Sequence, residues 1–220
     1  MRAHKEAIII GIISVLFLAG MGFLIWRTPA AVSPVGPVLT AEQSAMAVRP
    51  DSRMTGTYGA KVTMVEFGDY QCPACGYDHP ILKKVIDTYS SNPNFNFVFR
   101  HFPLPQHPNA PMASQAAEAA GAQGKYWEMH DQIYSHQSEW SESKDALPFF
   151  VSYATTIGID VAKFTSEVSS GKYSSVVKAS QDDANRIGVN STPTIYINGT
   201  QVSRVTVENL NALVDEALAK

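Results

Sequence analysis

The chain has only two cysteines, Cys72 and Cys75, separated by Pro73 and Ala74, and this spacing constrains the fold more than any other feature. Upstream, Lys61 to Phe67 (Lys-Val-Thr-Met-Val-Glu-Phe) reads as a strand rich in β-branched and aromatic residues. Downstream, a helix is expected to about Ser91. Pro73 falls at its first position, which tolerates the missing N–H. Cys72 then stands at a helix cap. Unpaired N–H groups and the positive end of the helix dipole favour a thiolate there, and the thiolate is the species that attacks disulfides. Cys75, one turn further in, can close a disulfide with Cys72 and is expected to be the less exposed, resolving thiol. A Cys-x-x-Cys pair between a strand and a helix is a redox signature.

Other chemistry could use the same pair. Half a zinc site with His79 and a distant His is conceivable, but zinc takes four ligands and no second Cys pair exists. A structural disulfide and an inert buried thiol pair are the bland alternatives. A cysteine hydrolase would need a His partner to which nothing points. Two cysteines cannot staple a small scaffold, and a chain of 220 residues does not need stapling. With 45% hydrophobic and 17% charged residues, the composition suits one globular domain plus extra sequence. A net charge of −3 gives no basic surface for nucleic acid. The six histidines read as scattered, so no metal is expected and no cofactor is called for.

The N-terminus is a separate problem. Residues 1–6 carry Arg2 and Lys5. Residues 7–26 form an uncharged apolar run ending in Trp26, and a bilayer-spanning helix needs roughly twenty such residues. The basic residues before it put residues 1–6 in the cytoplasm and the rest outside. The expectation is a single-pass signal anchor in the cell membrane, with the catalytic part in the periplasm or at the cell exterior. A cleaved signal peptide would give the same topology. Residues 27–58 read as a linker, punctuated by Pro29, Pro34, Pro37, Pro50, Gly36 and Gly56.

The domain is expected over 59–220. A second strand, Asn94 to Arg100, makes a strand–helix–strand unit, which favours a parallel pair. Helices are expected at Met112–Ala122, Tyr126–His136, Ala146–Ile157, Val161–Ser169 and Lys172–Ile187. Thr194–Asn198 returns to strand character, and Asn198-Gly199 is a hairpin signal with Gln201–Val205 as partner. A helix at Val207–Ala219 closes the chain.

Two segments carry a resemblance. Val65 to Cys75 (Val-Glu-Phe-Gly-Asp-Tyr-Gln-Cys-Pro-Ala-Cys) resembles the active-site segment of DsbA-like proteins, a branch of the thioredoxin superfamily. Gly188 to Gly199 (Gly-Val-Asn-Ser-Thr-Pro-Thr-Ile-Tyr-Ile-Asn-Gly) resembles that family's cis-proline segment and following hairpin. The resemblance covers roughly Tyr58 to Lys220. It implies an α/β thioredoxin fold with an inserted helical domain over about 106–187, here preceded by the transmembrane helix. It also implies that Pro193 is cis and lies beside Cys72, with Thr192 offering backbone groups to a substrate peptide. Glu66 would sit buried under the disulfide and move protons to or from Cys75. Its alternation with Val62 and Met64 also argues for burial.

The function implied is thiol–disulfide exchange on exported proteins, as a disulfide-forming oxidase. A reductase or isomerase is the alternative, as is a binding or chaperone-like module with structural thiols. Many oxidising relatives carry a His between the cysteines. Ala74 offers none, so a less depressed Cys72 pKa is expected. With two cysteines the chain cannot recycle itself. An oxidase would need a quinone-linked membrane partner of the DsbB type, and a reductase an electron donor. His101, His107 and His130 are expected to pack or lie at the surface. Tyr70, Phe102 and Trp127 border the groove or fill the core.

Overall fold

The computed structural model of the chain describes residues 36–220. The expected cytoplasmic end, the anchor over 7–26 and the start of the linker lie outside the described residues. Among the described residues no helix is long and apolar enough to cross a membrane. In chain order the elements are α1 (Ala41–Ala47), β1 (Arg53–Met54), β2 (Val62–Gly68), α2 (Pro73–Tyr89), β3 (Phe95–His101), α3 (Ala110–Gly121), α4 (Tyr126–Ser135), α5 (Gln137–Trp140), α6 (Leu147–Thr156), α7 (Val161–Ser169), α8 (Ser174–Arg186), β4 (Thr194–Ile197), β5 (Thr200–Gln201) and α9 (Val207–Ala219).

The sheet order is β1-β3-β2-β4-β5. β2 and β3 run parallel, from Val62 opposite Phe95 to Gly68 opposite His101. β4 runs antiparallel on the other side of β2. Both faces of β2 are covered, as parallel sheet strands usually are. Val62 and Met64 join Phe97, Phe99, Leu82 and the insertion helices in one core. Val65 and Phe67 join Val98, Phe102, Ala184 and Tyr196 in a second. Glu66 is therefore buried because β2 is central, and alternation alone could not have decided its burial.

The expected linker is corrected within the described residues. Thr40 caps α1 in a reciprocal box with Gln43, β1 pairs with the outer edge of β3, and Thr55 donates to the Phe97 carbonyl. Prolines and glycines punctuate this stretch, but packing on the domain orders the short elements between them. The fold thus begins well before Gly59.

The hairpin turn is as expected. Asn198 and Gly199 both have positive φ, 47° and 79°, as a primed two-residue turn requires. The partner strand is shorter than expected and ends at Gln201, because Val202 and Val205 turn in to pack on the core. The insertion helices α3 to α8 span Ala110–Arg186. The short α5 was not anticipated. It exists around Trp140, which is fully buried and donates from Nε1 to the Ile133 carbonyl.

Candidate active site

Cys72 is the N-cap of α2, with extended φ and ψ of −68° and 122°, and Pro73 follows in the first turn. Its thiol lies 3.5 Å from the Thr192 carbonyl oxygen, and the Thr192–Pro193 peptide bond is cis. The structure thus brings Cys72, Thr192 and Pro193 together. Cys75 is one turn in and completely buried. Cys72 keeps 7% exposure, so it is the thiol that a partner can reach.

The two thiols have opposite tendencies. The hydrogen bond from Cys75 leads the effects that bring Cys72 down to about 5, against the upward push of burial. The Thr192 side chain and the backbone N–H groups of Cys75 and Ala74 add to it. The bare Ala74 side chain adds nothing to this, as expected; the depression comes first from the Cys75 thiol, and the backbone N–H groups at the helix start add to it. Burial pushes Cys75 far above the ordinary thiol value, and the hydrogen bond to Cys72 and the Glu66 charge push the same way. Of the two, Cys72 favours its thiolate and Cys75 its protonated form.

Glu66 lies under this pair, 2% exposed. Burial, then the charges of Asp78 and Cys72, push it up to about 8. Its Oε1 has no hydrogen-bond partner among the described residues, so the carboxyl is available to exchange a proton. Gly68 makes room for it, since a Cβ there would stand 2.9 Å from Oε1 and 2.4 Å from the Phe99 ring.

A polar frame holds the loop before Cys72. Asp69 is fully buried. It accepts from Gln71 N at 2.7 Å and Leu104 N at 2.8 Å, and its Oδ2 lies 2.7 Å from His107 Nδ1. Gln71 donates to the Ser141 carbonyl at 2.7 Å and accepts from Asn109 N at 2.7 Å. Gln137 donates to the carbonyls of Tyr70 and Cys72, at 2.7 and 2.9 Å. The insertion thus grips the redox loop. In the sequence, Asp69, Gln71, Asn109 and Gln137 carry no role of their own and His107 reads as a packing or surface residue, because a polar residue between helices carries no local signal. Asp78 was also missed. It is half-buried on α2 and is itself pushed up to about 6 by burial and by the Cys72 charge.

Tyr70 and Phe102 are core residues, and Trp127 packs against the core. His101 and His130 are buried, His101 against Glu118 at 3.0 Å. The histidines are less scattered than they read: His79, His130 and Asp131 offer ligand atoms within 4.8 Å of one another.

The family model described as Thioredoxin matches residues 49–216. The fold is similar to BdbD from Bacillus subtilis, with a TM-score of 0.69 and 19% identity over 84% of this chain and 98% of that one. It is similar to α-DsbA1 from Wolbachia pipientis, with a TM-score of 0.71 and 16% identity over 80% and 96%. It is also similar to MdbA, a thiol-disulfide oxidoreductase from Actinomyces oris, with a TM-score of 0.62 and 20% identity over 72% and 80%. Among curated proteins, the Na(+)/H(+) antiporter NhaA 1 of Salinispora arenicola is 34% identical over 175 residues, 78% of this chain. The chain spans only 26% of that relative's length.

Proposed function

The chain belongs to the thioredoxin family, and from that premise we propose that it is a thiol–disulfide oxidoreductase, an oxidant that forms disulfides in exported proteins. The observation that carries this reading is the asymmetry of the two thiols, with Cys72 held near 5 and Cys75 far above the ordinary value. A stabilised Cys72 thiolate stabilises the reduced chain relative to the disulfide, and that makes the disulfide a strong oxidant.

The reaction begins with Cys72–Cys75 oxidised. A substrate thiolate attacks the Cys72 sulfur. The bond between the cysteines breaks, and Cys75 leaves with the electron pair. Cys75 is buried and favours its neutral form, so Glu66 supplies the proton. A second substrate thiolate attacks its partner sulfur in the mixed disulfide and expels Cys72, which needs no proton at neutral pH. Two electrons have passed to the dithiol on the chain. Thr192 and cis-Pro193 flank Cys72, where an extended substrate segment can pair with the Thr192 backbone.

Residues 7–26 would hold the domain at the outer face of the cell membrane. Support comes from their apolar length. A quinone-linked membrane partner of the DsbB type would reoxidise the dithiol.

The test is the reduction potential of the Cys72–Cys75 couple in glutathione buffers. Strong oxidants of this kind lie near −120 mV and thioredoxin lies near −270 mV. A value above about −160 mV is expected, whereas one below about −220 mV would make the chain a reductant.

A further inference from the structure

Three metal-binding side chains meet where the redox helix packs on the insertion. His79 of α2 and His130 and Asp131 of α4 each offer a ligand atom, all within 4.8 Å of one another. His79 Nε2 lies 3.4 Å from Asp131 Oδ1. His79 follows Cys75 by four residues and so stands one turn along the same helix face. His130 is 3% exposed and His79 9%. The Asp131 side chain is 40% exposed, which leaves a way in from solvent on the carboxylate side.

Behind His130 stands an orienting group. Its Nδ1 is 2.9 Å from the Tyr70 hydroxyl, which donates onward to the Tyr126 hydroxyl at 3.4 Å. With that proton given to Tyr126, Tyr70 accepts from His130 Nδ1–H, and the lone pair of His130 is on Nε2. Metal-ligating histidines are held in this way, with the second ring nitrogen donating to a fixed acceptor.

We propose that His79, His130 and Asp131 form a Zn²⁺ site that braces α2 against α4. Two imidazoles and a carboxylate are a zinc donor set that leaves the fourth position to water. Tetrahedral bonds of about 2.0–2.1 Å place ligand atoms about 3.4 Å apart, the separation that His79 and Asp131 already have. A calcium ion would require six or more oxygens. Lys83 is the local competitor. Its Nζ lies 3.6 Å from Asp131 Oδ2 and 3.3 Å from Asp87 Oδ1. The Lys83 side chain is 49% exposed, so it can remain on Asp87 and release Asp131.

The site is independent of the redox assignment and is tested without the thiols. The full chain carrying Cys72→Ser and Cys75→Ser is titrated with Zn²⁺ against a chromogenic chelator, and circular dichroism follows folding. One tightly held Zn²⁺ per chain is expected. His79→Ala and Asp131→Asn should each weaken it at least about tenfold, and Tyr70→Phe about tenfold through the lost orienting contact. Lys83→Ala should leave binding equal or tighter. Asp131 is half-exposed, so its variant reports even if His79→Ala unfolds. The proposal is overturned by no uptake, or by uptake that Asp131→Asn leaves unchanged. Either result would reduce the cluster to a packed His–Asp–Lys ion pair.

Discussion

The side-chain amide of Gln137 donates at 2.9 Å to the carbonyl of Cys72, joining the helical insertion to the nucleophile's own backbone. The same nitrogen donates to the Tyr70 carbonyl, so one side chain satisfies two part-buried acceptors. Gln137→Ala takes this donor from the Tyr70 carbonyl and leaves the Cys72 carbonyl with Gly76 N–H alone, and the expected loss of stability is about 1–3 kcal/mol. Gln137→Glu should do more, since an ionised carboxylate cannot donate and its charge would raise the Cys72 pKa. Gly76→Ala attacks the same contact from α2, where a Cβ would stand 2.4 Å from Gln137 Oε1. Urea midpoints of the oxidised chain and thiolate titration of the reduced one check this. A residue that merely fills space would lower the midpoint and leave the titration where it was.

Cys72 makes the reduced chain's stability depend on pH. Its folded value is about 5, below the ordinary 9.0. A depressed acid contributes stability that is full above the unfolded value and is lost as pH falls through the folded one. The advantage of the reduced chain over reduced Cys72→Ser should therefore grow between about pH 5 and pH 9. Paired melts across that range give the difference directly. A flat difference would mean that the thiolate is not stabilised by the fold.

Glu66 runs in the opposite direction. Its folded value, about 8, lies above the ordinary 4.5, so its stabilising contribution is full below about 4.5 and is lost as pH rises through 8. Glu66→Gln keeps the shape and removes the titration. The variant should gain on the parent as pH rises toward 8 and beyond. If Glu66 also delivers the proton to Cys75, oxidation of a substrate dithiol should slow about a hundred- to ten-thousandfold. The pH–rate profile should then lose its inflection near 8. Slower oxidation with that inflection intact would assign Glu66 to packing alone.

Much of this was legible in the residues. Alternating Phe95, Phe97 and Phe99 mark a strand, Pro73 marks a helix start, and Asn198-Gly199 marks a turn, because each is a local preference written in one or two side chains. Pairing Cys72 with Thr192, which is 120 residues away, needed a family likeness. What stayed hidden depends on tertiary contact. Ala41–Ala47 and Arg53–Met54 are too short to signal themselves among prolines. Gln137 and Asp69 look like surface polar residues until the insertion folds over the loop. The meeting of His79 with His130 is set by how two helices dock, and no spacing in the chain records it.

Asp183 joins α8 to the sheet. Its carboxylate accepts from Arg49 at 2.5 Å and from Arg100 at 2.8 Å, and its side chain is only 2% exposed. Arg100 also donates to Ser180 and to the carbonyls of Met46 and Ala47. One buried guanidinium therefore ties β3 to α1 and α8, and α8 leads directly into the loop that carries Thr192 and Pro193. Burial pushes Asp183 up, but the hydrogen bonds from Arg49 and Arg100 prevail and hold it below its ordinary value. Asp183→Ala strands the buried Arg100, and breaking such a pair costs about 3–5 kcal/mol. Asp183→Asn keeps an acceptor and should cost less. The neighbouring pair Lys178–Asp182 is the control. Its side chains are 71% and 44% exposed, so Asp182→Ala should cost only about 0.3–0.5 kcal/mol. Because the folded Asp183 value is depressed, its contribution is present above about pH 4 and is lost in acid, so the penalty of Asp183→Ala should shrink there. Urea unfolding of both variants at neutral and acid pH decides the matter. Equal costs at neutral pH would mean that the Arg100–Asp183 pair does not hold α8 to the sheet.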